Sequence, residues 1–237
     1  MKFTVETRAF RQAIDAVKYA TGSKLKDALK GIYCEVQPGE ITLQATDLEI
    51  GIVYRMTPFG SVAASGACIL PTEQIAKLLR ETNASHVNFD LKDATLHVYA
   101  GDLHCELTTE NANEFPQVQI PDAGSHGLTI PMASLMGGFA KVGFAVGEES
   151  ARFAVSGVLM DVQADSTCTM VATDTTMLVT ATVVPEWKSK EPKMHCIIPV
   201  RAFKLLQAVS TQGGIVGVSK VGNDLIFATE SVTVRSE

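Results

Sequence analysis

The sequence has no run of ~18 uninterrupted apolar residues, so no membrane-spanning helix is expected. Its opening stretch, MKFTVETRAF, lacks the apolar core of a secretory signal. Phe3 and Val5 alternate there with Lys2 and Thr4, which is the period of a strand. The signatures Gly-x-Ser-x-Gly, Gly-x-x-x-x-Gly-Lys and Gly-x-Gly-x-x-Gly do not occur, which removes the usual marks of a serine hydrolase, a P-loop and a dinucleotide site. Cys-x-x-Cys is missing as well. The cysteines are Cys34, Cys68, Cys105, Cys168 and Cys196, odd in number and set in strand-like surroundings, which reads as reduced core thiols of a cytoplasmic protein. The sequon Asn83-Ala84-Ser85 then carries no meaning. Of the five histidines, His104 and His195 each precede a cysteine in a strand, and strand neighbours point to opposite faces. No catalytic residue, cofactor or metal site is expected. Positive charge is not in surplus either: the net charge is −6, which on its face argues against a nucleic-acid partner.

What the sequence does have is repetition. VATDTTMLVT (171–180) echoes QATDLEIGIV (44–53), and Asp174 follows Asp47 by 127 positions. Upstream, KGIYCEVQ (30–37) lies over SGVLMDVQ (156–163), matching Gly31 to Gly157. Downstream, CILPTEQIAKLL (68–79) lies over CIIPVRAFKLL (196–206), matching Cys68 to Cys196 and Pro71 to Pro199. Matches in this order, with an offset that drifts by one residue at a time, indicate internal duplication. With 237 residues and 46% hydrophobic composition, each half has enough chain for its own core.

A strand runs straight into an amphipathic helix four times, at KFTVETRAFRQAIDAV, CILPTEQIAKLL, LTIPMASLMGGFAKV and CIIPVRAFKLLQAV. Pro71, Pro131 and Pro199 stand at three of these junctions, where a fixed φ suits a helix start and the missing N–H costs nothing. Short alternating strands follow each helix, separated by turns such as Pro38-Gly39 and Gly222-Asn223-Asp224. The fold class is therefore α+β, a tandem duplication with about eight strands and two helices per half, spanning 1–120 and 127–237. The Thr-Asp that closes a strand in each half reads as an Asx-type turn.

The helices lean basic. Segments 5–20, 71–83, 131–145 and 199–211 hold eight Lys or Arg against four Asp or Glu, in a chain whose net charge is negative. Spacing puts Arg8, Arg11, Gln12, Asp15 and Lys18 opposite Phe10, Ile14 and Val17, and Lys77 and Arg80 opposite Ile75, Leu78 and Leu79. Lys141, Arg201 and Lys204 take the wet faces of the last two helices. Helices sharing one side would attract phosphate there, and in the absence of a recognition-helix motif such contact is blind to base sequence.

The order of MKFTV, ATDLEI, NANEFPQ, FAVGEESARFAVSGVLMDV, ATDTTML and IIPVRAFKLL resembles the bacterial sliding clamp, the DNA polymerase III beta subunit, along the whole chain. The resemblance implies DNA-clamp domains. Family members have three and close head-to-tail as a dimer, a six-domain ring around duplex DNA, and this chain would supply the first two. It implies a non-catalytic processivity factor of the cytoplasm and nucleoid. Its partners would be the DNA polymerase III alpha subunit and the clamp loader, held through short peptide motifs. Lys24 aligns with a DNA-contacting loop residue of the family, and Lys26 is nearby. The second-domain half of the peptide pocket falls on Arg152, Val155, Thr173, Thr175, Thr176, Met177 and Leu178. After Ala-Thr-Asp the family commonly has Gly-His-Arg-Leu, whereas this chain has Thr-Thr-Met-Leu. Near the bore, Glu149, Phe153 and Ala154 stand where the family has polar or aromatic side chains. Two alternatives accompany this reading: a two-domain clamp that closes as a trimer, and a duplicated α+β binding module or enzyme unrelated to DNA.

Overall fold

The structure is a computed structural model that describes residues 1–22, 27–58, 60–120, 127–147, 156–163, 167–183, 194–209 and 214–236. The chain divides into two compact units, Met1–Gln119 and Ile120–Glu237.

Unit 1 begins with β1 (Lys2–Glu6), which passes without a loop into α1 (Thr7–Val17). Strands β2 (Ile32–Gln37), β3 (Glu40–Thr46), β4 (Ile50–Met56), β5 (Val62–Ala64) and β6 (Gly66–Leu70) follow, then α2 (Thr72–Glu81). The unit closes with β7 (His86–Lys92), β8 (Thr95–Ala100) and β9 (Leu103–Thr108). Strands β5, β1, β7, β8 and β9 are neighbours in that order, and β6, β2, β3 and β4 form a second antiparallel series.

Unit 2 repeats the plan. It runs β10 (Leu128–Pro131), α3 (Met132–Val142), β11 (Gly157–Val162), β12 (Cys168–Thr173), β13 (Leu178–Val183) and β14 (Met194–Pro199). Then come α4 (Val200–Val209), β15 (Ile215–Val221), β16 (Asp224–Ala228) and β17 (Val232–Ser236). Its strand orders, β10-β15-β16-β17 and β14-β11-β12-β13, copy β1-β7-β8-β9 and β6-β2-β3-β4. The duplication seen in the sequence is thus a duplication of topology, and among the described residues β5 is found in unit 1 alone.

Alternation explains the layering. In β1 the odd residues Phe3 and Val5 are buried, and the same period recurs in β8 with Leu96, Val98 and Ala100. On α1 the buried side is Phe10, Ala13, Ile14 and Val17, and on α2 it is Ile75, Ala76, Leu78 and Leu79. Phe3, Phe10 and Phe89 join β1, α1 and β7, with Phe3 and Phe89 stacked at 4.8 Å between centroids and Phe10 tilted against Phe89 at 5.3 Å. In unit 2, Phe139 of α3 stacks on Phe203 of α4 at 3.9 Å. Such pairs contribute ~1 kcal/mol beyond the apolar area they bury.

The same contacts position both helix pairs. The first helical residue of each unit donates its backbone N–H to the segment after the second helix: Thr7 to the Ser85 carbonyl and Met132 to the Gly214 carbonyl, both at 2.9 Å. The prolines stand at the strand-to-helix junctions, as their place in the sequence indicated. Pro71 and Pro131 stand one position before the helix, with extended ψ of 105° and 130°, and Pro199 ends β14. A strand feeding directly into a helix needs its switch residue extended, and proline's fixed φ suits that conformation equally well.

Glycines mark the close approach between strands. An added Cβ at Gly31 would lie 2.2 Å from Ile69 Cγ2, and one at Gly157 would lie 2.6 Å from Ile197 Cγ2 and 2.8 Å from the Ile198 carbonyl oxygen. The two glycines are repeat equivalents, so the sequence match reports a shared packing requirement. Cys34, Cys68, Cys168 and Cys196 are buried free thiols, and burial pushes Cys68 and Cys168 up to about 12 and Cys196 up to about 11. Among the described residues no helix is long and apolar enough to cross a membrane.

Candidate functional site

The helical cations are placed by the buried faces beneath them. Arg8 on α1, Lys77 and Arg80 on α2, Lys141 on α3, and Arg201 and Lys204 on α4 are exposed, while Arg11 and Lys18 are half-buried. Lys18 follows α1 in a short 3-10 turn and is ion-paired with Asp15 at 2.5 Å, which offsets its charge locally. Glu73 and Glu81 share the exposed side of α2 with Lys77 and Arg80. The positive bias is therefore uneven: α3 and α4 carry three cations and no acidic residue, whereas the acids of α1 and α2 offset most of theirs. Lys24 and Lys26 lie outside the described residues, as do Glu149, Arg152, Phe153, Ala154 and Val155.

The two Ala-Thr-Asp sites fold into twin turns. Asp47 Oδ1 accepts the backbone N–H groups of Glu49 and Ile50, at 3.1 and 2.9 Å. Asp174 Oδ1 accepts those of Thr176 and Met177, both at 2.8 Å, together with the Thr176 hydroxyl. The threonine before each aspartate straddles the turn. Thr46 Oγ1 accepts from the Leu48 N–H and donates to the Ile50 carbonyl, while Thr173 Oγ1 accepts from the Thr175 N–H and donates to the Met177 carbonyl at 2.6 Å. The aspartates are thus structural turn formers, as their duplicated setting indicated. These donors, the Met177 N–H foremost, hold the Asp174 carboxyl below its ordinary range. The resulting stability is fully present above the unfolded-state pKa and is lost as pH falls through the lowered folded value.

Both turns place a residue at positive φ: Leu48 at 85° and Thr175 at 80°. A β-branched side chain is strained there by ~1–3 kcal/mol. Thr175→Gly is therefore expected to stabilise the chain by about 1 kcal/mol after glycine's own entropy cost, raising Tm by about 3 °C. A lower Tm in a thermal melt would show that Thr175 is not strained.

Downstream of this turn the solvent face of β13-β12-β11-β14 is partly apolar. Register pairs Leu178 with Thr173 and Gly157 with Pro199, and aligns Thr180, Val171, Leu159 and Ile197 in one row across all four strands. Met177, Leu178 and Ile197 are exposed, Leu178 to 65%. Five of the residues expected at a peptide pocket, Thr173, Thr175, Thr176, Met177 and Leu178, thus form one continuous turn-and-strand edge. Leu159 and Ile197 extend its apolar surface. Sequence reading missed these two because strand register, rather than proximity in the chain, brings them into the row.

Comparison with known proteins bears on this arrangement. The family model for the DNA polymerase III beta subunit, N-terminal domain, matches residues 1–119. The beta sliding clamp of Pseudomonas aeruginosa is 24% identical over 221 residues, covering 92% of this chain and 59% of the relative. The chain thus spans about three fifths of that relative's length. The crystal structure of the DNA polymerase III subunit beta from Pseudomonas aeruginosa aligns with a TM-score of 0.88 at 22% identity, over 100% of this chain and 64% of that one. The Helicobacter pylori beta clamp, solved bound to a DNA ligase peptide, aligns with a TM-score of 0.83 at 21% identity, over 100% of this chain and 66% of that one. The structural likenesses establish a common fold. With the family match over half of its length, the chain belongs to the DNA polymerase III beta subunit family.

Proposed function

We propose that this chain contributes two clamp domains, 1–120 and 127–237, to a non-catalytic ring that encircles duplex DNA and holds replication proteins on it. The carrying observation is the duplicated unit whose paired helices turn cations outward, in a member of this family. A ring needs one unit many times, and each copy would bring two helices to the bore. Arg8, Arg11, Lys18, Lys77, Arg80, Lys141, Arg201 and Lys204 would meet phosphates, and the family resemblance would add Lys24 and Lys26, which lie outside the described residues. Each such contact is weak and screened by salt, and enclosure supplies the residence time.

Tethering would use the edge of unit 2. Met177 and Leu178 offer exposed apolar surface beside threonine hydroxyls, and the family resemblance would assign Arg152 and Val155, outside the described residues, to the same pocket. The Helicobacter pylori clamp supports the reading, since it was solved with a DNA ligase peptide bound. By the same reading the polymerase alpha subunit and the clamp loader would dock there, in the nucleoid region of the cytoplasm.

The test is duplex binding by fluorescence anisotropy, with two unrelated sequences and a salt titration. Equal affinities within about twofold are expected, with log K falling linearly against log salt. A flat salt response, or a marked preference for one sequence, would remove the phosphate-reading bore.

A further inference from the structure

The β8–β9 hairpin gathers side chains that the DNA reading does not use. Its register pairs Tyr99 with His104 and His97 with Glu106, setting all four on one face, opposite the buried Leu96 and Val98. One ligand atom each from His97, His104 and Glu106 lies within 4.8 Å of the others. His97 Nδ1 is 3.4 Å from Glu106 Oε1, near enough for charge attraction, yet the alignment makes no hydrogen bond and this buried nitrogen has no hydrogen-bond partner. A buried imidazole nitrogen left without a partner is costly unless something satisfies it, and the exposed Glu106 carboxylate beside it can share a ligand.

A shared cation would do so. Tetrahedral ligands at ~2.0–2.1 Å from zinc stand about 3.3 Å apart; the His97–Glu106 pair is at 3.4 Å, and all three ligand atoms lie within 4.8 Å of one another. Tyr99 lies flat on His104 at 4.4 Å with a 3° interplanar angle, which restrains the second imidazole. Neighbouring groups are engaged elsewhere. Asp90, across from His97 on β7, is held by Lys2 at 3.1 Å and lies 4.0 Å from Lys92. Cys105 alternates to the other face of β9.

We propose that His97, His104 and Glu106 bind a zinc-class dication that clips β8 to β9. Two imidazoles and one carboxylate suit Zn2+, Co2+ or Ni2+, and are poor donors for Mg2+ or Ca2+, which take oxygen ligands. Three protein ligands leave a fourth position for water. The site stands independently of DNA binding.

The experiment is a Co2+ titration of the folded, reduced, untagged protein, followed by visible absorption. Melting curves are a poor readout, because unfolding releases five cysteines that bind such metals and counteract any shift. One equivalent should bind with a tetrahedral spectrum free of thiolate charge transfer, displaced by Zn2+ and untouched by Mg2+. His104→Ala and Glu106→Gln, both at exposed positions, should each weaken binding about tenfold or more. His195→Ala in unit 2 should leave it unchanged. No saturable binding, a thiolate band, or affinity unaltered in both variants would overturn the proposal.

Discussion

Gly157→Ala is expected to destabilise the folded chain by about 3 kcal/mol, and Gly31→Ala by a similar amount. The methyl group at 157 would meet Ile197 Cγ2 at 2.6 Å and the Ile198 carbonyl oxygen at 2.8 Å, and the second of these is backbone within a paired strand. At 31 the obstacles are Ile69 Cγ2 at 2.2 Å and the Leu70 carbonyl oxygen at 3.0 Å. Isoleucine is stiff at χ1, so the clash cannot be relieved by a small rotation. β2 would have to part from β6, or β11 from β14. Gly137→Ala provides the control: its Cβ meets nothing within 4 Å on the exposed side of α3, and alanine there should stabilise by ~0.5–1 kcal/mol. Urea unfolding separates these outcomes. A loss under about 1 kcal/mol at both 31 and 157 would mean that the strands separate easily.

The second large effect concerns DNA. Lys141→Glu combined with Lys204→Glu should weaken duplex binding about a hundredfold at ~50 mM salt and make the log–log salt slope shallower by about 2. Both side chains are exposed on the two helices that carry cations without acids, so thermal stability should hardly change. Lys18→Glu should have a smaller effect, because Lys18 is already paired with Asp15. Unchanged affinity in the double variant, with the fold intact, would take α3 and α4 out of the DNA interface.

Much of this architecture was legible in the sequence because period and order are local signals. Alternation gave β1 and β8, helical spacing gave the buried sides of α1 and α2, and Ala-Thr-Asp gave both turns. Other features needed the third dimension. Nothing in Thr-Thr-Met announces a positive φ at Thr175, since residues that relax there are usually glycine or asparagine. The uneven charge between units came from side-chain pairing and from Glu73 and Glu81, which a summed count averages away. The histidine cluster shows the same limit. Reading along β9 sets His104 beside Cys105 and finds no chelate, whereas counting outward from the two-residue turn at Gly101 and Asp102 brings His97 and His104 to one face.

The shielded sulfurs give each half of the molecule its own unfolding reporter. Cys34 and Cys68 lie in the first unit, Cys168 and Cys196 in the second, all buried and weakly acidic. Alkylation requires thiolate and access, so these positions react only when their own unit opens. Brief exposure to a maleimide in mild denaturant, followed by peptide mass spectrometry, would therefore record which half loosens first. The duplicated architecture becomes two separately readable stability gauges within one polypeptide.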